Sequence, residues 1–295
     1  MIQSQRTIML FVGMATLLAL VGIGQGWNVA LLLVNMCIIS AIMALGVNIQ
    51  WGYAGLFSIG SMGFAALGGL AGVIISAKPV PGAWQAGGLG VIGGLLSALV
   101  TIILGTFVWR RLMHLGRWRY GVTGVIVLAG FITMRSLMGP AIVEIEKIDP
   151  AAAGYLGGMG LPIILSWVVG GLFAAAVAWV VGKVSLGLRS DYLAIATLGI
   201  SEIIIFLLKF EDWLTRGVKN VTGLPRPVPY EVELVKSQAF QDFAIAIGAN
   251  TTAAASITVK LCYAGLFSIV LLFVLYLSEA VSYTHLTLPT SYPVL

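Results

Sequence analysis

The sequence predicts an all-α fold, a polytopic transmembrane helical bundle of about eight spans, and three observations predict it. Residues are 59% hydrophobic and only 9% charged, with a mean hydropathy of +1.03. The apolar residues fall in blocks long enough to cross a hydrocarbon layer of about 30 Å. Between the blocks lie short stretches carrying Gly, Pro and Arg. Helices of a water-soluble core keep a polar face, which these blocks lack. The lipid bilayer is therefore the first partner the sequence implies. The net charge of +5 sits mainly beside the spans and reads as topology rather than as a nucleic-acid surface.

Taken in order, a short polar start with Arg6 leads to a first span at about Ile8–Ile23, retained rather than cleaved, since no small-residue cleavage pattern follows it. The second span is about Val29–Val47. Polar side chains and glycines from Asn48 to Gly60 then interrupt the hydrophobicity before a third span, about Phe57–Ser76. Broken helix at membrane depth is tolerated only where protein or a water-filled cavity meets the freed backbone groups. Gly68 and Gly72, then Gly90 and Gly94, recur at spacing four and predict close helix packing. Lys78-Pro-Val-Pro-Gly82 reads as a loop, followed by spans at about Leu89–Val108, Tyr120–Met138 and Leu161–Gly182. Cys37 and Cys262 lie in apolar runs with no metal-like spacing and read as small packing residues.

Arg110, Arg111, Arg117, Arg119, Lys183 and Arg189 fall in the loops after spans four and six, whereas the alternate short loops hold Lys78, Lys147 and Arg135. The bias predicts a cytoplasmic amino terminus. Span seven runs from Tyr192 to Phe210. A long connection, 211–260, is expected outside the membrane, and span eight is about Leu261–Leu277. The ending from Ser282 is rich in Thr, Pro and Tyr and lacks the basic flank expected there. Residues 1–280 are thus read as a truncated transmembrane permease domain and 281–295 as a non-native tail.

Span seven carries one acid, Glu202. Eleven residues beyond Asp191, it stands about 16 Å along the helix, near the middle of the hydrocarbon. A carboxylate there costs several kcal/mol unless paired, protonated or facing water, which makes it a functional-site candidate. Arg135 and Lys209 are the cations considered as its partners. No Walker A loop occurs, and Gly88-Leu-Gly-Val-Ile-Gly93 opens an apolar span with no strand before it, so no nucleotide or other cofactor is implied. His114, His285 and the scattered acids form no catalytic or metal cluster of useful spacing. The sequons at Asn220 and Asn250 carry little weight.

Asp191-Tyr-Leu-Ala-Ile-Ala-Thr-Leu-Gly199 with Glu202-Ile203, after Leu188-Arg189, resembles the hallmark of LivM-type permease subunits of branched-chain amino acid ABC importers. Ala44-Leu-Gly-Val-Asn-Ile-Gln-Trp-Gly-Tyr-Ala-Gly-Leu-Phe-Ser-Ile-Gly60 agrees, as does Trp213-Leu-Thr with Asn220, Gly223, Leu224 and Pro225. The resemblance implies a non-enzymatic translocation subunit in the bacterial inner membrane. Its partners would be a second permease subunit, two cytoplasmic ATPases and a periplasmic amino-acid-binding protein, importing leucine, isoleucine or valine.

Three departures stand out. Ile205 replaces the family's usual basic residue three positions after the motif Glu, and 78–160 is longer than in the family. The cytoplasmic coupling loop expected after Glu279 is missing. On this reading Asn48, Gln50, Tyr53, Ser58, Tyr192, Gly199 and Glu202 line the substrate pathway, and Trp213, Asn220 and Arg226 meet the receptor. The alternatives are a urea or short-amide ABC permease, and an ATP-independent secondary transporter or channel.

Overall fold

The computed structural model describes residues 2–111, 118–149, 154–185 and 187–281. His114, Arg117, His285 and the expected tail after Val281 lie outside the described residues, and Val281 itself ends the last helix. The helices are α1 (Ile2–Gln25), α2 (Trp27–Asn48), α3 (Ser61–Ser76), α4 (Pro81–Arg111), α5 (Trp118–Glu146), α6 (Ile163–Ser185), α7 (Ser190–Phe210), α8 (Asp212–Thr215), α9 (Glu231–Lys236), α10 (Gln238–Ala246) and α11 (Thr251–Val281). Seven of these are long and apolar enough to cross a membrane, and α3, with 16 residues, is an eighth apolar helix too short to do so in full.

Several boundaries differ from the sequence reading for local reasons. The fourth helix begins at Pro81 rather than near Leu89, because proline at a first helical position lacks an N–H that would be unpartnered anyway. A wide turn at Trp84–Gly88 then carries it into the apolar run. The fifth continues through Gly139-Pro140 to Glu146, with the proline inside the helix. The last starts at Thr251 rather than Leu261. Asn250 caps it, its Oδ1 accepting the Thr252 N–H at 3.0 Å and its carbonyl the Ala254 N–H at 2.8 Å.

The chain divides into two compact units, Met1–Ser61 with Ser185–Leu198 and Arg226–Leu295, and Met62–Val184 with Gly199–Pro225. In the first, α2 packs between α1 and α11, while α9 and α10 pack on α11. Stretch 211–260 is thus largely helical. Polar groups join α2 to α11. The Lys260 ammonium donates to the Asn28 carbonyl at 3.0 Å and to Asn28 Oδ1 at 3.2 Å, and Asn35 Nδ2 donates to the Lys260 carbonyl at 3.1 Å. Helix α11 has 31 residues, about 46 Å and roughly 16 Å more than the hydrocarbon needs. Cys37 and Cys262 are free and exposed on these helices rather than packed.

In the second unit α4 pairs with α5 along most of its length. Three of the four predicted close approaches occur here: a Cβ on Gly90 would meet Ala141, one on Gly94 would meet Met138, and Gly170 of α6 lies against Gly68, whereas a Cβ on Gly72 would meet nothing within 4 Å. Ala83, Val91, Ala141, Ile145, Leu156 and Trp213 form its buried core.

Candidate functional site

After Asn48 the second helix widens into a turn over Ile49–Tyr53, and Gly55 at φ +67° ends it. Such wide turns are frequent at functional sites. The Ala54 and Leu56 N–H groups donate back to the Ile49 and Gln50 carbonyls at 3.2 and 2.9 Å. Trp51 and Phe57 meet edge to face, 4.9 Å between centroids. The Asn48 amide lies so close to Gly52 that any side chain there would collide with it. Ala44, Val47, Asn48, Trp51 and Gly52 line a hollow of about 330 Å³. Asn48 and Tyr53 are exposed, Gln50 and Ser58 half-buried.

Short helix α3 survives because its ends are capped from elsewhere in the chain. The Ile59 N–H donates to Thr197 Oγ1 at 3.2 Å, and the Gly63 N–H donates to Ser201 Oγ at 2.8 Å. The two hydroxyls stand one turn apart on α7, the two donors one turn apart at the start of α3. Gly60 and Gly63 allow the approach, since a Cβ on either would press on Thr197 or Ser201 at 3.0 or 2.9 Å. At the other end the Met159, Gly160 and Leu161 N–H groups donate to the Ile74, Ala77 and Ile75 carbonyls at 2.9, 3.0 and 2.9 Å. Only glycine fits at 158, where a Cβ would strike the carbonyls of Val73, Ile74 and Ala77.

Helix α7 therefore has two distinct faces. Leu193, Ala194, Thr197 and Ser201 are buried, whereas Tyr192, Ile195, Gly199, Glu202 and Phe206 are exposed on the chain's own surface. Among the described residues Glu202 forms no ion pair or hydrogen bond, with Arg135 and Lys209 or otherwise. The expected pathway residues are divided between units: Asn48, Gln50, Tyr53, Ser58 and Tyr192 in the first, Gly199 and Glu202 in the second. Residue-by-residue reading missed Thr197 and Ser201. Their i, i+4 spacing opposite the Glu202 face was the available signal.

The expected receptor-facing residues differ in placement. Trp213 is 7% exposed and packs in the second unit's core, its Nε1 donating to Glu211 Oε2. Its backbone carbonyl accepts the Leu156 N–H at 2.9 Å. The indole anchors the connection and offers no face for docking. Asn220 is exposed, and its carbonyl accepts from Arg216 Nη1 at 2.9 Å. Arg226 is half-exposed, pairs with Glu231 at 3.0 Å and lies over the Tyr230 ring at 5.5 Å.

Comparison with known proteins adds a partial likeness. Over 69 residues the chain is 38% identical to the High-affinity branched-chain amino acid transport system permease protein LivM of Escherichia coli (strain K12). Over 67 residues it is 39% identical to the protein of the same name from Salmonella typhimurium (strain LT2). In both cases the match covers 23% of this chain and 16% of the relative's length. No family model and no solved structure matches the chain. It is a multi-pass α-helical membrane protein that shares one stretch with transport permeases.

Proposed function

We propose that the chain is the translocation subunit of an ATP-driven importer that carries branched-chain amino acids across a bacterial inner membrane. The observation that carries this reading is the likeness to two LivM permeases, 38% and 39% identical over the matched residues. The exposed face of α7 supports it: an acid at that depth cannot rest against lipid without a cost of several kcal/mol, and this chain leaves it uncovered. A second permease subunit laid against Tyr192, Ile195, Gly199, Glu202 and Phe206 would enclose Glu202 and form the pathway. The wide turn at 49–53, with Asn48, Gln50, Tyr53 and Ser58, supplies hydrogen-bonding groups to an otherwise aliphatic route. Energy comes from two cytoplasmic ATPases and cargo from a periplasmic binding protein, received by the outer surface bearing Asn220 and Arg226. The amino terminus is cytoplasmic.

The test is uptake of labelled leucine in cells lacking their own branched-chain importers, with this permease expressed beside the transport genes of its source. Leucine uptake competed by isoleucine and valine is expected. Uptake of urea or short amides with none of leucine would replace the cargo, and no uptake of either would remove the importer reading.

A further inference from the structure

The α4–α5 pair is closed at one end and open at the other. Gly90, Gly94 and Gly130 are in contact with Ala141, Met138 and Thr101 across the pair, whereas ideal Cβ atoms on Gly105, Gly121 and Gly124 would meet nothing within 4 Å. Beyond Thr101 and Gly130 a space therefore opens beside Gly105, between that contact and the one Trp109 and Tyr120 make across the pair. Two grooves of about 570 and 610 Å³ occupy the opening and share Trp109, Thr123 and Val127. The second is lined by Trp109, Tyr120, Val127, Leu128 and Phe131 with Thr123 and Gly124, and the first adds Thr101, Thr106 and Arg110 to its apolar wall. Both grooves open on the surface rather than lying in a packed interior, so whatever fills them comes from outside the chain.

The mouth of the opening is basic and aromatic. The Arg119 guanidinium lies over the Trp109 and Tyr120 rings at 4.5 and 4.9 Å, and these rings meet edge to face at 5.1 Å. Arg119 Nη2 donates to the Tyr120 hydroxyl at 3.1 Å. The stack fixes the guanidinium, yet Arg119 Nε is buried with no hydrogen-bond partner, as is Thr123 Oγ1 on the groove wall. Buried orphan polar atoms are uncommon and mark a missing partner. Arg110 lines one groove, and Arg111 follows it in the last turn of α4. No acid pairs with Arg110, Arg111 or Arg119 among the described residues.

We propose that this opening binds an anionic phospholipid. The phosphate meets Arg110 and Arg119, with Arg119 Nε and Thr123 Oγ1 gaining the partner they lack, and the two acyl chains fill the two grooves. Cations between helix ends attract anionic headgroups, and tryptophan and tyrosine mark the same interfacial depth. The grooves distinguish a lipid from a free phosphate, which would use the cations and leave the apolar walls empty.

The full-length chain, solubilised in mild detergent and reconstituted in nanodiscs of phosphatidylcholine with a minor fraction of phosphatidylglycerol, is re-extracted, and the retained lipid is identified by native mass spectrometry. One phosphatidylglycerol per chain is expected, resistant to displacement by inorganic phosphate. The double substitution Arg110→Gln and Arg119→Gln should lower phosphatidylglycerol retention by about 30-fold. Gly105→Leu, whose Cβ would meet nothing within 4 Å, should block retention while leaving the charges intact. Its elution as a monodisperse species checks that it folds. Equal retention of phosphatidylcholine, displacement by phosphate, no retained lipid, or retention unchanged in both variants would each overturn the proposal.

Discussion

Ser201 Oγ, 3% exposed, accepts the backbone N–H of Gly63 at 2.8 Å. The bond ties the start of a 16-residue helix to a hydroxyl on the face of α7 opposite Glu202. With Thr197 one turn earlier, it satisfies donors that a broken helix would otherwise leave buried and unpartnered.

Ser201→Ala leaves the buried Gly63 N–H without a partner and should cost about 1–3 kcal/mol. Thermal unfolding of the detergent-solubilised chain reads this. A melting temperature unchanged from the parent would mean that water or a rearranged backbone replaces the hydroxyl.

Gly158→Ala places a methyl against three carbonyls at the end of α3 and should destabilise the chain more than Gly72→Ala, where a Cβ meets nothing within 4 Å. A paired comparison of the two melting temperatures checks it. Equal effects would show that the 157–161 strap gives way at little cost.

Lys260 and Asn28 should be coupled. Hydrogen bonds to charged groups contribute about 1.5–3 kcal/mol, so the double-mutant cycle of Lys260→Met and Asn28→Ala is expected to give an interaction energy in that range. Additive effects would mean that the ammonium reaches water or headgroups as readily as Asn28.

Trp213→Ala should cost about 3–5 kcal/mol as a core truncation, whereas Asn220→Ala and Arg226→Ala should each stay within about 0.5 kcal/mol. If the outer surface meets a receptor, those two variants weaken binding-protein-dependent uptake without loss of protein. Full uptake in both would move the docking surface elsewhere.

The bundle was legible in the sequence because long apolar runs in a chain with few charges have no other stable arrangement. Helix limits were less legible where proline acts by position. Pro81 starts a helix where the sequence reads as a loop, and Pro140 lies inside a helix whose span the sequence ends near Met138. The interruption after Asn48 was visible from its glycines and polar side chains, but not its wide turn, nor the hydroxyls of Thr197 and Ser201, which look like ordinary small residues until the opposing backbone is placed. Trp213 misled through its setting: a tryptophan in a long connection reads as surface, and only tertiary packing shows it in a core. Lys260 reads as the end of a loop because a cation in a span is rare, whereas its helix begins at Thr251 and its ammonium bonds Asn28 of α2.

The most direct test uses the complete transporter in proteoliposomes, measuring leucine flux with and without ATP for the parent and for Glu202→Gln. Flux that requires ATP and falls at least about 10-fold in Glu202→Gln, a loss of about 1.4 kcal/mol or more, at equal protein content, is the predicted result. Flux independent of ATP, or equal in parent and variant, would contradict the placement of Glu202 on the pathway of an ATP-driven importer.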